Sequence, residues 1–109
     1  MAAVSPAEPT VRIFALVAPA QYQLKTPLTF ATVPELRGRG CRLIAAAKAK
    51  AELTLDLGEV GAVDSAGLAL LIDWVAEARR RRVKLHFKQV PEALQALAKL
   101  SEVDELLQG

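Results

Sequence analysis

Residues 55–71 read LDLGEVGAVDSAGLALL, and this stretch decides the fold class. From Leu53 to Leu57, leucines alternate with polar residues, which is the period of a β-strand that packs one face against a core. Glycines then mark a turn, and either Asp64 or Ser65 can cap the free backbone amides of a following helix. Gly67 permits close approach of another backbone segment to the first turn of that helix. The stretch therefore predicts a strand, a loop and a helix.

The predicted helix has apolar residues at helical spacing that define a core stripe: Leu68, Leu71, Ile72 and Val75. At 100° per residue, Leu70 and Trp74 lie away from that stripe and in line with Ala66 and Gly67. We interpret this second face as a partner-binding surface, because tryptophan commonly anchors interfaces. The alternative interpretation places Trp74 beside the core, packed under the last helix.

Downstream of this helix, the stretch from Val83 to Phe87 alternates as a strand that carries His86 on its polar side. Pro91 opens a third helix, which ends before the final apolar residues of the chain. The expected core contacts of this helix are Leu94, Leu97 and Leu100, and Val103, Leu106 and Leu107 close the chain.

Upstream of the decisive stretch, short β-prone runs at Val11–Val17, Tyr22–Leu24 and Leu28–Phe30 predict one or two N-terminal hairpins. Thr32 and Glu35 then form a capping-box pattern, in which each side chain would satisfy a backbone amide of the other. A helix should start there and run to about residue 48.

The complete order of strands and helices predicts an α/β fold in which helices cover a mixed sheet, with right-handed crossovers. The 109 residues are 52% hydrophobic and 24% charged, which fits one compact domain. We expect residues 1–10, which contain Pro6 and Pro9 and lack an apolar period, to form a mobile tail, and residues 11–109 to form a single domain.

Composition argues against several classes of function. The net charge is only +2, and the cluster from Arg79 to Arg82 is interpreted as a helix end that complements the macrodipole. The alternative is a basic patch that binds anionic lipid or phosphate. One cysteine, Cys41, and one histidine, His86, leave no disulfide framework and no zinc-ligand set. We therefore expect no nucleic-acid binding, no metal and no cofactor.

No part of the sequence predicts membrane insertion or export. The apolar run from Ile13 to Ala18 is far shorter than a membrane span, and the first ten residues lack the basic start of a signal peptide. We expect a cytoplasmic protein without direct membrane insertion.

The sequence VDSAGLALL, at residues 63–71, resembles the signature of STAS domains, the fold of bacterial anti-sigma factor antagonists. Together with PLTFATVPEL at residues 27–36, it is most similar to the STAS subunit of the Mla phospholipid-transport system. The resemblance implies a STAS fold, with a mixed sheet of about four strands covered by three to four helices.

The resemblance also implies a function. Such a subunit is cytoplasmic, lies at the inner membrane through its complex, and binds the ATP-binding subunit of an ABC transporter that maintains outer-membrane lipid asymmetry. Ser65 would lie in that contact, and we expect the partner-binding residues to be Asp64, Ser65, Ala66, Gly67, Leu70 and Trp74.

Two other functional classes remain as alternatives. The second hypothesis is an anti-sigma factor antagonist. In sigma-regulating STAS domains the phosphate acceptor is the serine immediately before the motif glycine, and this hypothesis ranks second because that position is Ala66 here. The third hypothesis is an enzyme. It ranks last because Asp64 and Ser65 have no paired base, and Asp56 and Glu59 complete no catalytic set. We expect a non-enzymatic, regulatory binding subunit.

Overall fold

The computed structural model describes residues 13–108, which build a four-stranded sheet and three α-helices. The elements in chain order are β1 (Phe14–Ala18), β2 (Gln21–Leu24), α1 (Val33–Ala46), β3 (Glu52–Asp56), α2 (Ser65–Arg80), β4 (Lys84–Lys88), α3 (Glu92–Leu100) and a 3₁₀ helix (Asp104–Gln108). This order confirms the predicted α/β class. The predicted N-terminal tail, and the start of the first predicted strand, lie outside the described residues.

The strands lie in the order β1-β2-β3-β4 and form a mixed sheet. β1 pairs antiparallel with β2 through a tight turn, whereas β2, β3 and β4 are parallel to one another. Parallel neighbours need a crossover connection, and α1 and α2 supply the two that this sheet requires. The crossovers bring the start of α2 to the edge of the sheet where β3 ends.

One face of the sheet is covered by helices and the other is polar. Leu53 and Leu55 of β3 are buried, and the alternate residues Thr54 and Asp56 remain partly exposed, as the leucine alternation predicts. The same core receives Leu24 from β2 and apolar residues from all three α-helices. Helix α2 therefore packs on the buried face of the sheet.

Trp74 is a core residue, and the prediction that it lies on a partner-binding surface is wrong. Its side chain is only 1% exposed, and Leu70 is fully buried. The physical reason is that α2 packs against α1 on one side and against α3 and β4 on the other. More than one stripe of this helix is therefore covered, and the exposed stripe consists of Ser65, Ala69, Asp73, Ala76 and Arg80.

The Trp74 ring fixes α1 and α2 against each other. Its Nε1 donates a hydrogen bond of 3.3 Å to the Arg37 carbonyl oxygen, and its ring lies 5.9 Å from that of Phe14. A Cβ atom at Gly40 would lie 2.2 Å from the Trp74 ring carbons, so only glycine fits beneath the ring. Gly40 thus permits a close helix contact, although glycine is a weak helix former.

The segment before α1 differs from the prediction in two ways. Leu28–Phe30 forms a turn instead of a third strand, with one isolated bridge from Leu28 to Val63. The helix starts at Val33 as expected, but Thr32 makes no capping hydrogen bond to it. The Thr32 hydroxyl instead accepts from the Thr29 amide and donates back to the Pro27 carbonyl, so this side chain closes the preceding turn.

Leu94 is confirmed as a core residue, and Leu107 is also buried. The prediction that Leu100 is a core contact is wrong, because its side chain is 83% exposed. Steps of three residues drift by 60° around a helix, so Leu100 has turned about 120° away from Leu94. Ala98, four residues after Leu94, is fully buried in its place.

Two of the four consecutive arginines are paired at the end of α2. Arg80 and Arg81 both form salt bridges with Glu77, one turn earlier on the same helix. Hydrogen bonds from Arg81 and then Arg80 hold the pKa of Glu77 below its ordinary value. This arrangement supports the helix-end interpretation. In the range 13–108, no helix is both long enough and apolar enough to span a membrane.

Candidate functional site: the motif loop and the start of α2

The loop that leads from β3 to α2 is held down by buried side chains. Leu57 is fully buried and Val60 is 2% exposed, so the loop is pinned to the core at two points. Gly61 lies between Val60 and the motif with φ of 72°, a left-handed conformation that glycine adopts without strain. The loop therefore reaches Asp64 along a defined path.

A second segment, Leu28 and its neighbours, pairs with this loop. The Leu28 amide donates to the Ala62 carbonyl at 2.9 Å, and the Asp64 amide donates to the Leu28 carbonyl at 3.0 Å. The Leu28 carbonyl also lies against Gly67, where an added Cβ would come within 2.1 Å of the oxygen. The close backbone approach predicted for Gly67 is confirmed, and its partner is Leu28.

Asp64 joins α2 to the segment that precedes α1. Its Oδ1 accepts hydrogen bonds from the amides of Ala66 at 2.9 Å and Gly67 at 3.1 Å, so Asp64, and not Ser65, is the helix N-cap. Its Oδ2 accepts from the amide of Phe30 at 3.1 Å. These bonds, that from Phe30 first, hold the pKa of Asp64 below its ordinary value.

Ser65 is the first residue of α2, and its side chain is exposed. Ala66 is half-buried, and Ala69, one turn later on the same side as Ser65, is exposed. We call Asp64, Ser65, Ala66 and Ala69 the motif surface. Its side chains are short, so another protein can bring its backbone close to the start of α2.

The structure brings together part of the predicted partner-binding set. Asp64, Ser65 and Ala66 share the motif surface, and Gly67 lies buried directly beneath it. Leu70, like Trp74, lies in the core and contributes nothing to this surface. The tryptophan anchor that the sequence interpretation required is therefore absent from the motif surface.

Phe30 supplies an exposed aromatic residue that sequence analysis missed. Its side chain is 76% exposed, and its amide is bound to Asp64. The sequence signal was a phenylalanine between Thr29 and Thr32, in a turn where neither strand alternation nor helical spacing requires an apolar residue. The strand predicted over Leu28–Phe30 treats this residue as part of a sheet instead.

The motif surface lacks the arrangement that an activated serine needs. Asp64 directs both carboxylate oxygens to backbone amides and makes no hydrogen bond to Ser65.

The single histidine, His86, lies on β4 and is half-buried, and its Nε2 lies 3.4 Å from Glu52 Oε1. Across residues 13–108, no group of three His, Cys, Asp or Glu side chains is placed to hold a metal ion. The geometry offers a contact surface more readily than a reaction centre.

Two clefts of about 380 and 410 Å³ occur elsewhere in the domain. Both are lined in part by β4 and by the C-terminal 3₁₀ helix, and neither is lined by a residue of the motif surface. The motif surface is thus an open protein surface outside both clefts.

Comparison with known families identifies the domain. The family described as "Mlab, STAS domain" matches residues 17–108, which is most of the chain. This chain belongs to the MlaB-type STAS family. The matched residues run from the last residues of β1 to the 3₁₀ helix and include the motif surface. No curated protein matches the chain.

Two solved structures share the STAS fold. A protein assigned as an anti-sigma factor antagonist from Thermotoga maritima superposes with a TM-score of 0.69 at 12% identity, covering 87% of this chain and 81% of that chain. The murine anion transporter Solute Carrier 26 family member A9, in its inward-facing state, superposes with a TM-score of 0.59 at 16% identity. That match covers 78% of this chain and 13% of the transporter. At these identities the likeness shows the fold, and it confirms the predicted STAS architecture.

Proposed function

We propose that this STAS domain is a non-enzymatic, cytoplasmic subunit that binds the ATP-binding subunit of an ABC phospholipid transporter, and that Ser65 lies in the contact. The domain would be held at the inner membrane through that complex and would help to maintain outer-membrane lipid asymmetry. The observation that carries the proposal is the match of residues 17–108 to the MlaB-type family. The exposed start of α2 supports it.

The geometry of Ser65 favours a binding role. Ser65 is exposed and leaves the capping of α2 to Asp64, so the serine is not needed to hold the helix start. Ala66 and Ala69 beside it are also small, and a surface of short side chains suits close contact with another protein. A bound subunit can change ATP turnover only if it favours one conformation of the ATP-binding subunit over another.

Ser65→Arg tests this proposal, with Ser101→Arg as its matched control. Both serines are exposed. Ser101 follows the C-terminal end of α3, whereas the N-terminal end of α3 is the one near the motif. An arginine at the start of α2 opposes the helix dipole at a cost of about 0.3–1 kcal/mol, so the variant should fold. We expect Ser65→Arg to lose co-purification with the ATP-binding subunit and to change ATP turnover, and Ser101→Arg to behave as wild type. Wild-type binding and turnover by Ser65→Arg would exclude the motif surface as the interface.

The second hypothesis, an anti-sigma factor antagonist, makes a different prediction. It requires a phosphate acceptor, and Ala66 occupies the usual acceptor position, so phosphorylation would have to fall on Ser65. A phosphate there would add charge and acceptor oxygens to the contact. We expect phosphoproteomics to find Ser65 unmodified. Stoichiometric phosphate on Ser65, with loss of partner binding, would favour the sigma-control role.

A further inference from the structure

Phe30 differs from the other exposed large apolar residues of the described domain. Leu16, Val17 and Leu100 are also more than half exposed, but only Phe30 is hydrogen-bonded to the motif, through its amide and Asp64 Oδ2. An exposed phenylalanine ring offers a large apolar area with few rotatable bonds, which is the property of an interface anchor.

The turn that carries Phe30 is held in place on both sides. The Thr29 carbonyl accepts hydrogen bonds from the amides of Thr32 and Val33, each at 2.9 Å, and the Thr29 amide donates to the Thr32 hydroxyl at 3.1 Å. Leu28 is fully buried and pairs with the motif loop. A backbone fixed in this way holds the ring in solvent and loses little conformational entropy when a partner binds.

Charge around Phe30 favours an apolar protein pocket as its binding site. The segment from Thr26 to Leu36 contains no lysine or arginine that could bind phosphate or an anionic lipid headgroup. Lys25 and Arg37 flank this segment, and Arg37 is paired with Asp73. The adjacent Asp64 carboxylate is occupied by three backbone amides. Ser65 and Ala66 are shorter than the ring, so Phe30 can enter a pocket on a protein that also covers the motif surface.

We propose that Phe30 is the aromatic anchor with which the motif surface binds the transporter's ATP-binding subunit, and that Asp64 is the residue that positions it. This inference rests on the proposed function, because it assumes the same partner at Ser65. The role of Asp64 is then to aim Phe30, since both of its oxygens face the protein's own amides.

Phe30→Ala tests the anchor, and Leu100→Ala is the matched control because it also removes an exposed apolar side chain. Binding to the purified ATP-binding subunit should weaken by about 30-fold or more for Phe30→Ala, and it should not change for Leu100→Ala. Wild-type binding by Phe30→Ala, while Ser65→Arg loses binding, would overturn the anchor and leave the proposed function standing. Wild-type binding by both Phe30→Ala and Ser65→Arg would overturn both. Loss of binding to anionic vesicles, with binding to the subunit unchanged, would show that Phe30 contacts membrane instead.

Asp64→Asn tests the positioning role. The amide oxygen can still cap α2, but the amide nitrogen would then face the donating N–H of Phe30. We expect binding to fall about as far as in Phe30→Ala, and we expect the double variant to bind no more weakly than Phe30→Ala alone. A full additional loss in the double variant would show that Asp64 contacts the partner directly and would overturn the positioning role. If Asp64→Asn fails to fold, Asp64→Ser, which keeps one capping oxygen and cannot span both sets of amides, gives the same comparison.

Discussion

Gly40 and Gly38 lie two residues apart in the interior of α1 but have opposite surroundings. A Cβ at Gly40 would lie 2.2 Å from Cε2 and Cζ2 of Trp74, whereas a Cβ at Gly38 meets nothing within 4 Å. In a helix interior, alanine is favoured over glycine by about 1 kcal/mol. Gly38→Ala should therefore raise the free energy of unfolding by about that amount.

Gly40→Ala should destabilise the domain in spite of the same gain in helix propensity. Carbon atoms in contact are normally about 3.5–4.0 Å apart, so the ring and α1 would have to separate by more than 1 Å. The ring cannot simply move aside, because it is held by the Arg37 carbonyl and packs against Phe14. Overpacking of this kind costs about 1–3 kcal/mol and occasionally more, and we expect the upper end here because two ring carbons are approached. After the gain of about 1 kcal/mol in helix propensity, the net loss is about 2 kcal/mol.

Thermal and urea unfolding of the two variants measure this difference. With about 4 °C per kcal/mol for a domain near 100 residues, Gly40→Ala should unfold about 8 °C below wild type and Gly38→Ala about 4 °C above it. Far-UV circular dichroism and the fluorescence of Trp74, the single tryptophan, report helix content and the packing of the ring. If Gly40→Ala is as stable as Gly38→Ala, the described contact between α1 and Trp74 is refuted.

Three other predictions follow from burial and from the cap of α2. Acrylamide should quench Trp74 weakly in the free domain and equally weakly with a partner bound, and strong quenching of the free domain would contradict its 1% exposure. Leu94→Ala should cost about 2–5 kcal/mol and Leu100→Ala less than about 0.5 kcal/mol in urea unfolding, and equal losses would show that α3 is rotated. Because folding lowers the pKa of Asp64, the ionised carboxylate stabilises the folded state at pH values above 3.8, the ordinary pKa of this group. This stabilisation is lost as the pH falls through the pKa of Asp64 in the folded state. The stability difference between Asp64→Asn and wild type should therefore be constant above about pH 5 and shrink below about pH 4. A pH-independent difference would contradict the depressed pKa that the hydrogen bonds from the amides of Phe30, Gly67 and Ala66 produce.

Local rules predicted the parts of the fold that depend on neighbours in the sequence. The leucine alternation from Leu53 to Leu57 located β3, because a strand with one buried face has a period of two. The same local reasoning found a capped start for α2 and a close backbone contact at Gly67, although it could not choose between Asp64 and Ser65 as the cap.

The errors occurred where a distant segment determines the environment of a residue. Trp74 was placed on a surface because a single core stripe was assumed for α2, and the stripe that packs on α1 is visible only once the helices are placed. Thr32 has a good capping sequence, but its hydroxyl is used by the turn at Thr29. Phe30 was missed because its link to Asp64 joins residues 34 positions apart. Such long-range partners leave no periodic pattern in the sequence.

Site-specific photo-crosslinking in cells tests the central claim most directly. A photoreactive amino acid at position 65 would report what lies against the exposed start of α2, and the same group in place of exposed Ser101 is the control. We predict that position 65 crosslinks to the ATP-binding subunit of an ABC transporter and that position 101 does not. A crosslink from position 65 to a serine kinase, or no crosslink to the ATP-binding subunit while the two proteins still co-purify, would contradict it.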